Sequence, residues 1–490
     1  MSHKTIVEKQ QQAECYLSKL MHIVDKSYRS GKYNTALAAL SSYCCIQYLI
    51  NQVYTDLQAE ITIDKVSKII LNRHTHYVPN KEIVFFYDGF GLDIRGWAIS
   101  YVKAISELGY KLVYITPQHA KGAIPHIEAE IKKGNGCIEY IDMQSDYLSW
   151  CNNLNSLFVK YQPATAFFYT IPNDVAGAMV FGMYKGLVKR IQVDLTDHAF
   201  WIGINAFDYV TECRIPGASN LIYGRGKEKT SILRIDPTPY ICREKLDERF
   251  PFDIEKNPFF FSGGALYKTL GDKELLYYTI VDTLLSEYDD IRFIYAGSGD
   301  DSELQKIISK YPGRAFLIPE RKDFFKLFEN CIFYLNTYPM FGGLMMRYAA
   351  LAGKVPLTLG HSSDHEGILY EQEKRTVEFQ GIDQLLEEAR KLIEDSKYRQ
   401  QRCKDMQGAC LSEEDFKRNV RQMIEDSKTE FRFLEIPELD TTEFRKEYLV
   451  RLDVQDMALE AIANRRNKPL IKYYPNIFMK KLWRKINDKL

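Results

Sequence analysis

Gly342-Gly343 stands between an apolar run, Ile332–Leu335, and a small-residue stretch from Leu344 to Ala352 that ends at Gly353-Lys354-Val355-Pro356. A strand, a loop and a helix opening on paired glycines present unpaired backbone N–H groups and the positive end of a helix dipole. Such a terminus suits a diphosphate, and glycines, lacking Cβ, let phosphates approach the backbone. Arg347, one turn into the helix, adds a cation beside Leu344 of the first turn. A second pair, Gly263-Gly264, follows the run Phe259–Ser262, with Lys268 shortly after it. Backbone amides and one cation are what a departing diphosphate needs. Asp197-His198 follows the run Arg190–Val193 and joins a carboxylate to an imidazole, a pair able to take or position a hydroxyl proton. Asp88, Gly89, Gly91, Asp93 and Arg95 form a glycine-rich loop after Ile83–Tyr87, where an acceptor or transferred group is expected. Read as structure alone, the glycines and loop aspartates are turn formers, Lys268 a solvated lysine and His198 a turn cap.

Those residues need rigid elements beneath them. From Glu82, strand-like runs (Ile83–Tyr87, Leu112–Ile115, Ile138–Ile141, Ala166–Tyr169, Arg190–Val193) alternate with helix-length segments. The alternation pauses in a proline-marked stretch, Arg234 to Pro258. It restarts with Phe259–Ser262, Phe293–Ala296, Ala315–Ile318, Ile332–Leu335 and Val355–Leu359. Short strands alternating with helices argue for parallel βαβ sheets. The expected fold is α/β, two Rossmann-like doubly wound domains facing a cleft, with ligands beyond the carboxyl ends of the strands. Residues 10–72 are helical in pattern; Tyr28-x-x-Gly31-x-Tyr33-x-x-Ala36 resembles the turn of a tetratricopeptide pair, but only one copy is visible. The expected domains are a helical cap (1–78), a first Rossmann-like domain (79–245), a second (246–430) and a helical tail (431–490). The tail ends with Phe478, Met479, Leu482, Trp483, Ile486 and Leu490 on one stripe and Lys480, Lys481, Arg484, Lys485 and Lys489 opposite. That stripe either docks on the protein or lies on an anionic membrane.

A chain of 490 residues exceeds one ordinary core, and 65 basic against 65 acidic residues exclude a global field for nucleic acid. The ten cysteines are scattered without a CxxC pair, the first residues hold no signal-peptide core and no run is long enough to span a membrane. The expectation is a cytoplasmic protein, peripheral on the inner face of the membrane if the tail engages it. No G-x-S-x-G or activated-cysteine context occurs, and Gly89-x-Gly91 followed by Gly96 has the wrong spacing for a dinucleotide fingerprint.

In order, Phe86–Trp97, Phe260–Lys268, Ile294–Asp300, Thr337–Gly360 and Glu366-Gly367-Ile368 resemble segments of the GT-B glycosyltransferases, most closely the family-4-like (glycosyltransferase group 1) enzymes. The resemblance covers roughly residues 80–410. It implies a nucleotide diphosphate sugar as substrate, no cofactor, and Arg321 where the nucleobase lodges. In the Gly360–Gly367 loop two histidines and two acids gather; the resemblance implies a sugar or ribose contact by Glu366 and no metal. The chain departs from that group in three places. Met340 and Tyr348 stand where two glutamates are usual, Lys354 is inserted before Pro356, and Gly264-Ala265 replaces a usual basic residue.

The leading expectation is a glycosyltransferase moving a sugar to a glycan, lipid-linked or protein acceptor, in cell-surface polysaccharide or glycoconjugate synthesis. A sugar-nucleotide epimerase shares the layout but needs several convergent acids. A catalytically silent partner that docks through the N-terminal helices accounts for the missing glutamates but has no need for a phosphate-binding geometry.

Overall fold

A parallel strand pair needs a crossover long enough to hold a helix, so the alternating pattern builds sheets covered on both faces. The computed structural model describes residues 5–71, 76–94, 96–144, 146–243, 249–360 and 368–487. The chain divides into two compact units. One comprises Met1–Glu212, Pro216–Ile235 and Lys417–Leu490; the other comprises Cys213–Ile215 and Asp236–Phe416.

The first unit begins with helices α1 (Ile6–Arg29), α2 (Tyr33–Ile50) and α3 (Leu57–Ile70). Thr5 and Glu8 form a reciprocal capping box on α1, and Asp56 caps α3 through the Ala59 amide at 2.9 Å. Helix α2 is apolar nearly all round and buried: Leu37, Ala38, Ala39, Leu40, Cys44 and Ile46 are inaccessible. There follow β1 (Asn80–Asp88), α4 (Ala98–Glu107), β2 (Lys111–Pro117), α5 (Pro125–Lys133), β3 (Cys137–Ile141) and α6 (Tyr147–Tyr161). Next come β4 (Pro163–Tyr169), α7 (Val175–Met183), β5 (Lys189–Val193), β6 (Tyr209–Glu212), α8 (Ile215–Ser219) and β7 (Ile232–Arg234). The sheet order is β3-β2-β1-β4-β5-β6-β7, parallel throughout. Winding reverses between β1 and β4, the switch point of a doubly wound sheet. The period of two decides the faces of β1. Phe85 and Tyr87 join the core that holds Phe158 and Phe181, while Phe86 packs among Tyr101, Tyr114 and Phe167.

The second unit contains β8 (Phe259–Ala265), α9 (Leu276–Glu287), β9 (Arg292–Ser298), α10 (Ser302–Lys310), β10 (Ala315–Ile318) and α11 (Phe325–Asn330). It continues with β11 (Tyr334–Leu335), α12 (Gly343–Leu351), β12 (Pro356–Leu359), β13 (Glu378–Phe379), α13 (Ile382–Glu394) and α14 (Ser396–Asp405). The sheet order β10-β9-β8-β11-β12-β13 is again wholly parallel, with the switch between β8 and β11. Helices α15 (Glu413–Asp426), α16 (Thr442–Arg451), α17 (Val454–Ile462) and α18 (Pro475–Asn487) complete the chain. The last three pack within the first unit, where buried Asn467 donates to Ser42 at 2.8 Å and accepts from the Tyr147 hydroxyl at 3.0 Å. The same core holds Met457, Ala458, Leu470 and Tyr474 alongside the N-terminal helices. Among the described residues no helix is long and apolar enough to cross a membrane.

Candidate functional site

In the second unit, strands β8 and β11 end side by side at the switch point, and both glycine pairs sit there. Gly342 is the N-terminal boundary of α12 and contributes no side-chain cap. The ladder begins with Met346 N–H donating to the Gly342 carbonyl at 3.1 Å, so the Gly343, Leu344 and Met345 amides have no partner within the helix. Asn336 holds this opening in place. Its Oδ1 accepts from the Thr337 and Gly342 amides at 3.0 and 2.9 Å, and its Nδ2 donates to Thr358 at 3.2 Å. The Tyr338–Pro339 peptide in the same loop is cis. A Cβ on Gly263 would stand 2.9 Å from the Ala296 carbonyl, whereas one on Gly264 would meet nothing within 4 Å. Gly264 has φ of 130°, a backbone that favours glycine, and it opens onto free space.

Lys268 follows on the β8 loop, and the Met340 amide donates to its carbonyl at 3.2 Å, tying that loop to the one entering α12. Its ammonium is half-buried, and burial alone pushes it below the ordinary lysine range. No carboxylate among the described residues offsets that burial. The other predicted cations lie elsewhere. Arg347 is 4% exposed, 3.2 Å from Asp236, and donates to the Pro237 carbonyl at 3.0 Å, an internal tie rather than an open anion contact. Arg321 grips Asp323 through two bonds of 2.9 and 3.0 Å and stacks on Phe250. Tyr348, at one missing-glutamate position, is buried and donates to the Tyr240 carbonyl at 2.8 Å. Arg95 and the His361–Gly367 segment, Glu366 included, lie outside the described residues. A cavity of about 540 Å³ lined by Lys256, Lys354, Arg399 and Lys404 opens at the amino ends of β8 and β11, the opposite edge from both glycine pairs.

In the first unit, Asp88 ends β1 fully buried. Burial pushes its carboxyl up to about 6, against the Tyr114 hydroxyl and the Phe90 and Gly91 amides, which favour the anion. Gly89 lies so close to Thr170 that a Cβ would overlap its hydroxyl at 1.7 Å, and Gly91 has φ of 67°. Asp93 has a structural occupation: it accepts from the His126 and Ile127 amides at 3.0 and 3.2 Å, capping α5, and its other oxygen is 2.5 Å from the His126 ring.

His198 keeps a partly open imidazole, its Nδ1 lying 3.2 Å from Asp197 Oδ1. Around this pair the fold gathers groups that the sequence did not single out. Asp194 is buried and its carboxyl is pushed up to about 6 by burial, with Arg225 as the main opposing influence. Its Oδ1 accepts from Thr196 N–H at 2.9 Å, while Oδ2 has no hydrogen-bond partner. Glu212 and Asp197 flank Gly217, where a Cβ would meet the Glu212 carboxylate at 1.9 Å and the Asp197 Cβ at 2.8 Å. The buried Arg225 lies over the rings of Tyr54 and Trp201 and donates to the Ala199 carbonyl, leaving Nε and Nη1 unbonded. The N-terminal helices brace this loop: Asn51 donates to the His198 carbonyl at 2.9 Å, and Glu60 accepts from Gly203 and Ile204 at 2.7 and 3.2 Å. An accessible imidazole beside several carboxyls of unlike environment can take, hold and return protons.

By sequence the chain matches no protein family and no curated protein. Its structure is similar to a glycosyltransferase from Rickettsia africae ESF-5 (TM-score 0.52, 9% identity, 71% of this chain and 98% of that one). It is similar also to a UDP-N-acetylglucosamine 2-epimerase (0.51, 13%, 74% and 100%) and to the UDP-GlcNAc 2-epimerase of Neisseria meningitidis bound to UDP-GlcNAc (0.50, 14%, 70% and 98%). The chain has the GT-B fold, two Rossmann-like units of parallel sheet. Identity at this level speaks for fold alone, and that fold serves sugar transfer and sugar-nucleotide epimerisation alike.

Proposed function

We propose that the protein is a nucleotide-sugar-dependent glycosyltransferase, delivering a sugar to a glycan, lipid-linked or protein hydroxyl in glycoconjugate synthesis. The carrying observation is the uncapped first turn of α12 beside Lys268, whose burial no carboxylate among the described residues offsets. A diphosphate supplies the missing negative charge. The Gly343 and Leu344 amides and Lys268 then bear the charge that develops on it as the glycosidic bond breaks. His198, oriented by Asp197, takes the acceptor proton. Arg321 and Arg347 hold the unit together and are not assigned to the ligand.

A second reading, sugar-nucleotide epimerisation, is favoured by the buried carboxyls themselves. Asp88 and Asp194 both sit near 6, and Asp194, Asp197 and Glu212 all lie within electrostatic reach of Arg225. Groups poised to exchange protons suit chemistry in which a sugar carbon loses and regains one.

The test is a thermal-shift panel of nucleoside diphosphates and their sugars, followed by NMR of the stabilising sugar nucleotide in D2O without acceptor. A hit whose sugar stays unlabelled, and is transferred when acceptor is supplied, supports the transferase. Deuterium entering the sugar ring with inversion at that carbon supports the epimerase. A folded protein that responds to no nucleotide overturns both and leaves a silent partner.

A further inference from the structure

Helix α18 is mounted with its amphipathic polarity reversed. Three of its charged residues are tied to the protein. Arg484 lies 2.6 Å from Asp456 of α17, Lys480 donates to Gln455, and half-buried Lys481 has Glu460 among its charged neighbours. Ile477 and Phe478 complete the seat against the core. The outward side carries Met479, Leu482, Trp483 and Ile486, each between 45% and 61% exposed. At helical spacing these four span a sector about 100° wide. Lys489 and Leu490, which extend the pattern, lie outside the described residues.

Four large apolar side chains set outward together form a patch for an apolar partner. The surrounding charge indicates which. From Arg465 to Leu490 there are nine basic residues and one acidic residue, in a chain whose net charge is zero. Lys468, Lys472 and Lys485 are exposed around the helix. Two copies of so cationic a surface repel each other, whereas an anionic bilayer attracts it. Thirteen residues are too few to span a bilayer but enough to lie along one, and Trp favours the interfacial zone.

We infer that α18 is a membrane-interface helix, lying on an anionic lipid surface with Met479, Leu482, Trp483 and Ile486 inserted and the exposed Lys468, Lys472 and Lys485 among the headgroups. The inference does not rest on the transferase reading, and its test involves no sugar nucleotide.

The experiment is co-sedimentation of the full chain with vesicles of phosphatidylcholine alone or mixed equally with phosphatidylglycerol. Binding is expected only to the mixed vesicles, weakening in high salt as each exposed cation contributes roughly five-fold. Leu482→Asp/Ile486→Asp should weaken binding at least ~10-fold, and Lys472→Glu/Lys485→Glu at least ~25-fold. Their exposure predicts unchanged circular dichroism and melting temperature. Trp150 and Trp201 are 1% and 3% exposed and Trp97 is half-buried between β1 and α4, far in sequence from α18, so a vesicle-induced blue shift in emission should be largely lost in Trp483→Phe. Equal binding to neutral and anionic vesicles, no binding to either, or full binding by both double variants would overturn the inference. A self-association that Leu482→Asp/Ile486→Asp abolishes, without vesicle binding, would assign the patch to a second copy instead.

Discussion

Replacing Lys268 with Met separates ligand binding from folding. Burial lowers the folded ammonium's pKa below the ordinary 10.5, so the charged lysine opposes folding of the empty unit at neutral pH. That opposition is relieved as pH rises through the folded pKa. Lys268→Met should therefore be at least as stable as the parent protein without ligand. With a nucleoside diphosphate the order reverses. A charge-assisted hydrogen bond to a phosphate contributes about 1.5–3 kcal/mol, so its loss weakens Kd by roughly 10- to 150-fold. At a ligand concentration of about 100 Kd the parent gains about 2.7 kcal/mol, which raises Tm by roughly 5–10 °C for a domain the size of the second unit. A variant weakened about 30-fold gains only about 0.9 kcal/mol, or roughly 2–3 °C. Thermal shift and titration calorimetry read these quantities, with exposed Lys273→Met of the same unit as control. Equal shifts for the parent and Lys268→Met would refute the assignment of the cation; a destabilised empty variant would refute the argument from burial.

Other perturbations act elsewhere in the fold. Burial raises the folded Asp88 carboxyl from 3.8 to about 6, so its contribution favours folding below about 4 and is lost as pH rises through 6. Asp88→Asn should accordingly be more stable than the parent at pH 8, by up to roughly 3 kcal/mol, with the difference vanishing near pH 4 in urea titrations. Arg347→Met breaks a buried ion pair with Asp236 and should destabilise the second unit by about 3–5 kcal/mol, which Asp236→Leu in the same chain should largely restore. His198→Gln should lower kcat roughly 10²- to 10⁴-fold while leaving the nucleotide-induced thermal shift intact; an unchanged rate would remove the imidazole from the chemistry.

The doubly wound architecture was legible because it is written in period. Runs such as Ile83–Tyr87 and Phe259–Ser262 are apolar without alternation, as strands buried on both faces must be, and helix-length segments separate them. The glycine pairs were legible for a local reason: a helix that opens on glycine exposes amides whatever surrounds it. Strands β6, β7 and β13 escaped notice, being only four, three and two residues long. Runs so short carry no period; their partners stabilise them.

Side-chain destinations were decided only in three dimensions. Arg347 and Lys268 read alike as cations near a phosphate site. Helix geometry turns Arg347 inward to Asp236, while the β8 loop leaves Lys268 without a carboxylate among the described residues. Asp93 resembled a loop acid awaiting a substrate until α5, more than thirty residues later, brought its open N-terminus to it. The Asp194–Glu212–Arg225 cluster joins the ends of two strands and a later turn, so no spacing in the sequence announces it. Helices α2 and α3 read as a helical cap, and only the structure shows Asn51 and Glu60 reaching from them to brace the His198 loop. The amphipathic stripe of α18 was plain from its residues, but which side faced the protein was not. Period reports that a helix has two faces; the ion pair to Asp456 and the bond to Gln455 determine which one is left for a partner.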